Sequence, residues 1–177
     1  MSRSLILGIG NTLLSDEGAG VHAVEYLRQH HPNLLKVTYL DGGTLSFSLA
    51  SCIQETDHLI VIDAAQLNAT PGTVRCFEGA EMEAYLGQGR SSVHEVGLLD
   101  LLSIALLAGQ LPRKRALIGI QPATLDWGDK PSALVRQAIP MAARCALQLL
   151  DTWCRNENPA KPRDAANQLY ECSGAVP

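Results

Sequence analysis

Short runs of apolar residues alternate along the chain with longer segments in which apolar residues recur every three or four positions. The short runs predict buried strands, and the longer segments predict helices with one buried face. The predicted strands comprise residues 5–9, 36–40, 58–62, 73–77 and 116–120. The alternation predicts a single α/β domain with a mostly parallel, twisted sheet of about five strands and helices on both faces.

One connection in this pattern is too short for a parallel crossover. Residues 64–72 join the third and fourth predicted strands and contain the turn-forming pair Pro71-Gly72. A parallel return needs a connection of about a dozen residues or more. We therefore expect the strand at 73–77 to be an antiparallel edge strand.

The last predicted helix carries a proline in its interior. Its apolar stripe comprises Leu134, Ala138, Met141, Cys145 and Leu149. Pro140 removes a backbone donor and clashes with the preceding turn, so a kink or a new helix start is expected there. From Arg155 the sequence becomes polar and contains prolines. This change predicts an α/β domain at 1–154 and a mobile tail at 155–177.

Composition narrows the possible partners and the compartment. The 177 residues include 18 acidic and 14 basic side chains, a formal net charge of −4, without a dense basic run, which argues against nucleic-acid binding. No apolar run reaches the roughly 18 to 20 residues of a spanning helix, and the N-terminus lacks a signal cleavage site, so membrane insertion is not expected. The five scattered cysteines predict reduced thiols in a cytoplasmic protein.

Polar side chains follow four of the predicted strands. They are Asn11, Asp41, Asp63 and Gln121. In open α/β sheets the ligand site lies beyond the carboxyl ends of the strands, so these residues predict a cleft at that edge. Polar residues also end many strands for structural reasons, and that reading is favoured for Asn11 and Gln121 taken singly.

The glycines around the first predicted turn invite a dinucleotide-binding interpretation, which the sequence does not support. The G-x-G-x-x-G fingerprint requires a glycine where this chain has Leu13. Asp16 and Glu17 stand at the start of the next helix, where they would repel a pyrophosphate and favour a cation. Asp16 as a helix cap is the structural alternative.

Glu17, Asp63 and His94 together form an oxygen and nitrogen ligand set for a divalent metal. Three protein ligands leave coordination positions open for a substrate. His94 alone could be a helix-entry residue, and it is not part of an H-E-x-x-H zinc motif, because Leu98 occupies the second histidine position.

The motifs GIGNTLLSDEGAGVHAVEYL, DGGT, HLIVIDA, SSVHEVGLLDLL and IGIQP follow one another in this order. With them the chain, from about Leu5 to about Trp153, resembles the hydrogenase maturation proteases. This resemblance implies an endopeptidase that removes a C-terminal extension from the nickel-loaded precursor of a nickel-iron hydrogenase large subunit. It also implies that Glu17, Asp63 and His94 bind the nickel that the precursor presents, without an organic cofactor.

The attacking group stays open at this stage. A metal-activated water would use the same three residues, whereas a general base could be Asp16 or Asp41. Asp41 before Gly42-Gly43 is the more accessible of the two, although an aspartate there also suits a turn. A non-catalytic chaperone that binds nickel or the precursor is the alternative function.

Overall fold

The computed structural model describes residues 2–44, 47–87 and 93–157, except for the side chains of 93–96. Within these ranges the strands are β1 (Ser4–Ile9), β2 (Val37–Gly43), β3 (His58–Ala64), β4 (Val74–Glu78) and β5 (Lys114–Ile120). The α-helices are α1 (Ala19–His30), α2 (Leu49–Gln54), α3 (Ala80–Leu86), α4 (Val93–Leu107) and α5 (Ala133–Glu157). A short 3-10 turn, Ser15–Gly18, precedes α1.

The described strands form one sheet in the order β2-β1-β3-β5-β4. β2, β1, β3 and β5 pair in parallel, and β4 pairs antiparallel with β5 at the sheet edge. The predicted α/β class and the antiparallel edge strand are therefore confirmed.

Alternate residues of the central strands enter two different cores. Ile6 of β1 and Ile60 and Ile62 of β3 pack with α1 and α5 on one face. Leu5 and Leu7 of β1 pack on the other face with residues of α2, α3 and α4. Burial on both faces explains why these strands read as continuous apolar runs rather than as alternating patterns.

α5 differs from the prediction in two respects. It continues through Pro140 as one helix to Glu157, so of the two expected alternatives, a kink or a new helix start, the new start is wrong. The predicted stripe was also misplaced, because Leu134 and Met141 are exposed. The buried face instead comprises Val135, Ala138, Ile139, Ala142, Ala143, Ala146, Leu149, Leu150 and Trp153.

The C-terminal end of α5 is attached to the edge of the sheet at which the parallel strands begin. His58, fully buried at the start of β3, lies 3.2 Å through Nδ1 from the hydroxyl of Ser4 and 2.9 Å through Nε2 from Glu157 Oε1. Its ring meets the buried Trp153 edge-on. α5 thus extends three residues into the predicted tail, and 158–177 fall outside the described residues. Among the described helices, none combines the length and the apolar composition that crossing a bilayer requires.

Candidate active site at the carboxyl edge of the sheet

The glycines near the end of β1 allow close backbone contact between the 15–18 turn, α1 and the sheet. A Cβ atom on Gly10, where φ is +136°, would lie 1.9 Å from the carbonyl oxygen of Glu17. A Cβ on Gly20 would lie 2.0 Å from the carbonyl oxygen of Ile62, and one on Gly8 would lie 2.3 Å from that of Gly20. These residues are therefore glycine because the turn and α1 rest directly on β1 and β3.

This contact places Glu17 and Asp63 at the same edge of the sheet. Gly8 is in register with Ile62, so the next residue of β3, Asp63, lies beside the end of β1. Glu17 is half-buried on the turn above Gly10. Asp63 is fully buried. Asp63 belongs to β3 rather than following it, which corrects the predicted strand end.

His94 lies in the first turn of α4. β5 is parallel to β3 and follows α4 after a short connection, so α4 runs antiparallel to these strands and begins at their carboxyl edge. The backbone of His94 therefore lies at the edge that carries Glu17 and Asp63. Its side chain lies outside the described residues. Among the side chains that are described, no three His, Cys, Asp or Glu residues are grouped closely enough to hold a metal ion.

Asp16 is fully buried, and its carboxylate accepts three backbone hydrogen bonds. Oδ2 accepts from Ala123 N at 2.8 Å and Thr124 N at 3.1 Å, and Oδ1 accepts from Ser132 N at 2.6 Å. The predicted cap of the following helix is not formed by this residue, because neither the 15–18 turn nor α1 has a side-chain cap bond. Asp16 instead fixes the segment between β5 and α5, which leaves it poorly placed to abstract a proton from a substrate.

Asp41 lies on the solvent-exposed surface near the end of β2. β2 extends to Gly43, so Asp41 and Gly42 are within the strand and not beyond it as predicted. Asp41 is in register with Gly8, and its Oδ1 accepts a hydrogen bond from Gly43 N at 2.8 Å. One strand separates β2 from β3, so the backbones of Asp41 and Asp63 are roughly 10 Å apart at the usual strand spacing.

The other two polar strand-end residues have structural roles. Asn11 Oδ1 accepts from Leu13 N at 3.0 Å and closes the turn after β1. Gln121 is buried and accepts from Leu67 N at 2.8 Å, while its amide donates to Gln66 Oε1 at 2.9 Å. Gln121 thereby joins the end of β5 to the connection between β3 and β4.

Two other residue types bear on metal binding. Within the described ranges, Cys52, Cys76, Cys145 and Cys154 form no disulfide with one another. His22 of α1 has a buried Nε2 with no hydrogen-bond partner among the described residues. Burial lowers the pKa of His22 below its ordinary value of 6.5, so its imidazole is neutral at neutral pH.

Residues 121–132 form a segment that we call the β5–α5 loop, and beyond Gln121 sequence reasoning assigned it no role in the site. The loop is bonded to Asp16, as described above, and also to Ser15. Ser15 Oγ donates to Asp126 O at 2.9 Å, and Ser15 N donates to Gly128 O at 2.8 Å. A Cβ on Gly128 would lie 2.5 Å from the Ser15 hydroxyl oxygen, so the loop lies directly against the turn that carries Glu17. The tryptophan in the polar stretch QPATLDWGDKP was the available signal.

Comparisons with known proteins agree on one family. Residues 21–149 match the family described as "Hydrogenase maturation protease". The hydrogenase expression/formation protein HupD of Rhizobium leguminosarum bv. viciae is 41% identical over 152 residues, covering 85% of this chain and 75% of the relative. The hydrogenase 2 maturation protease of Escherichia coli K12 is 40% identical over 126 residues, covering 70% and 76%.

A solved structure described as the hydrogenase maturating endopeptidase HybD from E. coli has a TM-score of 0.79 to this chain. The two are 35% identical, and the match covers 85% of this chain and 93% of the other. Fold and sequence thus point to the same family.

Proposed function

The chain belongs to the hydrogenase maturation protease family, and from this premise we propose that it removes the C-terminal extension of a nickel-loaded precursor of a nickel-iron hydrogenase large subunit. It is a hydrolase, a maturation endopeptidase. Beyond membership of the family, we propose the precursor as substrate, its C-terminal extension as the part removed, and recognition of the bound nickel. We also propose that the reaction takes place in the cytoplasm.

The observation that carries the proposal is the pairing of Glu17 and Asp63 at the carboxyl edge. The backbone of Glu17 packs onto Gly10 at the end of β1, and Asp63 is the penultimate residue of the neighbouring strand β3. With His94 at the start of α4, the donor set suits a borderline divalent ion such as nickel.

Nickel is part of the substrate in this proposal. Thiolates of the precursor hold it, and Glu17, Asp63 and His94 complete its coordination from the protease. This chain supplies only part of the coordination sphere, and only the loaded precursor carries a nickel ion for that part to bind. The chain therefore binds the loaded precursor better than the empty one. An empty precursor offers these ligands no metal ion to coordinate, which is a source of discrimination.

We assign the role of general base to Asp41 rather than to Asp16. A general base must reach the attacking water, and Asp41 is exposed at the site edge. Asp16 is buried and engaged by three backbone N–H groups. Asp41→Asn should therefore lower kcat, whereas Asp16 should act through the β5–α5 loop.

The test is incubation with a nickel-loaded precursor and, in parallel, with the nickel-free precursor, followed by mass spectrometry. We expect a shortened C-terminus only in the loaded sample. Binding without shortening would favour the chaperone alternative, and cutting of both samples would refute nickel recognition.

Variants of the ligand set test the residues themselves. Asp63→Asn and His94→Ala should each abolish processing and leave the thermal melt nearly unchanged. His30→Ala is the control, because His30 is exposed at the C-terminal end of α1. If both ligand variants still processed the precursor normally, this ligand set would be wrong.

A further inference from the structure

The β5–α5 loop exposes large apolar side chains beside the candidate active site. Trp127 is 83% exposed and Leu125 is 53% exposed, whereas the chain's other tryptophan, Trp153, is 2% exposed. Leu13, in the turn after β1, is 59% exposed. We call Leu13, Leu125 and Trp127 the Trp127 patch.

Backbone pairing makes Leu13 and Trp127 neighbours. Leu14 and Gly128 form a parallel bridge, in which Gly128 N donates to Leu13 O at 3.0 Å and Ser15 N donates to Gly128 O at 2.8 Å. The residues one position earlier, Leu13 and Trp127, therefore lie side by side, with Cα atoms roughly 5 Å apart at the usual spacing of paired strands.

The exposure of Trp127 does not come from a loosely held loop. The Asp16 carboxylate binds the loop near both ends, at Ala123, Thr124 and Ser132. Ser15 fixes its middle through Asp126 and Gly128. A tryptophan presented on a fixed backbone loses little conformational freedom on binding, which is typical of residues that dominate an interface.

The patch is continuous with the site. The residues that hold the loop, Ser15 and Asp16, immediately precede Glu17 in the 15–18 turn. The loop itself starts where β5 ends, and β5 pairs with β3, which carries Asp63. A macromolecule that brings nickel to Glu17 and Asp63 would therefore lie close to this loop.

We propose that the Trp127 patch is the docking surface for an apolar area on the folded body of the precursor, next to the segment that is cut. This inference rests on the proposed function, because the proposed function identifies the precursor as the molecule that binds at the site. Exposed Asp126, Asp129 and Lys130 border the patch in sequence. An apolar centre with a charged, mixed-sign border is the usual composition of a protein-binding surface.

Fluorine NMR of the protein labelled with 5-fluorotryptophan tests the inference directly, because the chain contains two tryptophans. Trp127→Phe assigns the two lines. Adding unlabelled nickel-loaded precursor should shift the Trp127 line and leave the chemical shift of the Trp153 line unchanged. A precursor that binds and is cut while the Trp127 line stays fixed would overturn the inference and leave the proposed function intact.

Two further outcomes are informative. A Trp127 line that moves with protein concentration in the absence of precursor would show that a second copy of this chain covers the patch, and would overturn the inference. A wild-type protein that neither binds nor cuts the precursor would refute the proposed function, and the inference with it.

Kinetics provide a second readout. Trp127→Ala should raise KM for the full precursor by about thirty-fold, the size expected for a dominant interface residue, with little change in kcat. Leu107→Ser is the matched control, because Leu107 is 89% exposed at the end of α4, at the opposite edge of the sheet. An unchanged KM for Trp127→Ala, or an equal rise for Leu107→Ser, would contradict a docking role.

Discussion

Replacing Asp16 by asparagine separates a structural role of this residue from a catalytic one. The side chain keeps its size but loses its charge and one of its two acceptor oxygens. In the better of its two orientations, the asparagine carbonyl still accepts from Ala123 N and Thr124 N. Its NH₂ group then faces the N–H of Ser132. Because both groups are donors, the 2.6 Å hydrogen bond between Ser132 N and Oδ1 of residue 16 is lost.

The expected loss of stability follows from these contacts. A hydrogen bond to a charged group contributes about 1.5 to 3 kcal/mol, and an unsatisfied buried donor adds a cost of similar size. The two retained bonds also weaken, but some relaxation of the loop offsets that loss. Asp16→Asn should therefore lower the free energy of unfolding by about 2 to 4 kcal/mol. For a chain of this length, that corresponds to a fall in Tm of roughly 4 to 16 °C.

Two assays check this estimate. Guanidinium unfolding gives the change in stability, and hydrogen exchange followed by mass spectrometry locates it. Amides of the β5–α5 loop should exchange faster in Asp16→Asn than in the wild type, while β1 and β3 amides change only with global stability.

Asp41→Asn is the control, because Asp41 is exposed and asparagine can still accept from Gly43 N. Its stability should stay within about 0.5 kcal/mol of the wild type. An Asp16→Asn protein with wild-type stability and loop exchange, but without activity, would refute the structural assignment and restore Asp16 as a candidate base.

Two further predictions concern packing and pH. Gly20→Ala places a Cβ 2.0 Å from a carbonyl oxygen of β3, so it should destabilise the fold by about 1 to 3 kcal/mol in denaturant unfolding, and clearly more than Gly87→Ala, where the nearest atom is 3.2 Å away. Equal losses would show that α1 does not rest on the sheet as described. Hydrogen bonds from Ser2 and His58 hold the pKa of Glu157 below its usual 4.5, so its stabilisation is present above that value and is lost as the pH falls through the lowered pKa. The Tm difference between wild type and Glu157→Gln should therefore be largest near neutral pH and vanish in acid; a difference that did not depend on pH would contradict it.

The sequence alone determined the fold class, because strand burial and helix periodicity are local patterns. β3 reads as a continuous apolar run since both of its faces are covered, and the shortness of residues 64–72 was enough to make β4 antiparallel. The motifs around Glu17, Asp63 and His94 likewise indicate the family without any knowledge of the geometry.

Helix faces and strand ends were predicted less well. A small rotation of a helix's buried face, or a strand that is two residues longer, changes the local sequence pattern very little. Alanines supply much of the buried face of α5, and they give a weaker apolar signal than the exposed Leu134 and Met141 that drew the predicted stripe outward. The extension of β2 through Asp41 to Gly43 depends on pairing with β1, which no local pattern encodes.

Tertiary structure decided what Asp16 and the glycines do. In the sequence, Asp16 and Glu17 are adjacent carboxylates at a helix start and look alike. In the fold, Asp16 points its charge at backbone donors more than 100 residues away, while Glu17 rests above Gly10 beside β3. The reason is physical: hydrogen bonds and backbone contacts between distant segments exist only once the chain has closed on itself, so a sequence can name the residues of a site but not divide their roles.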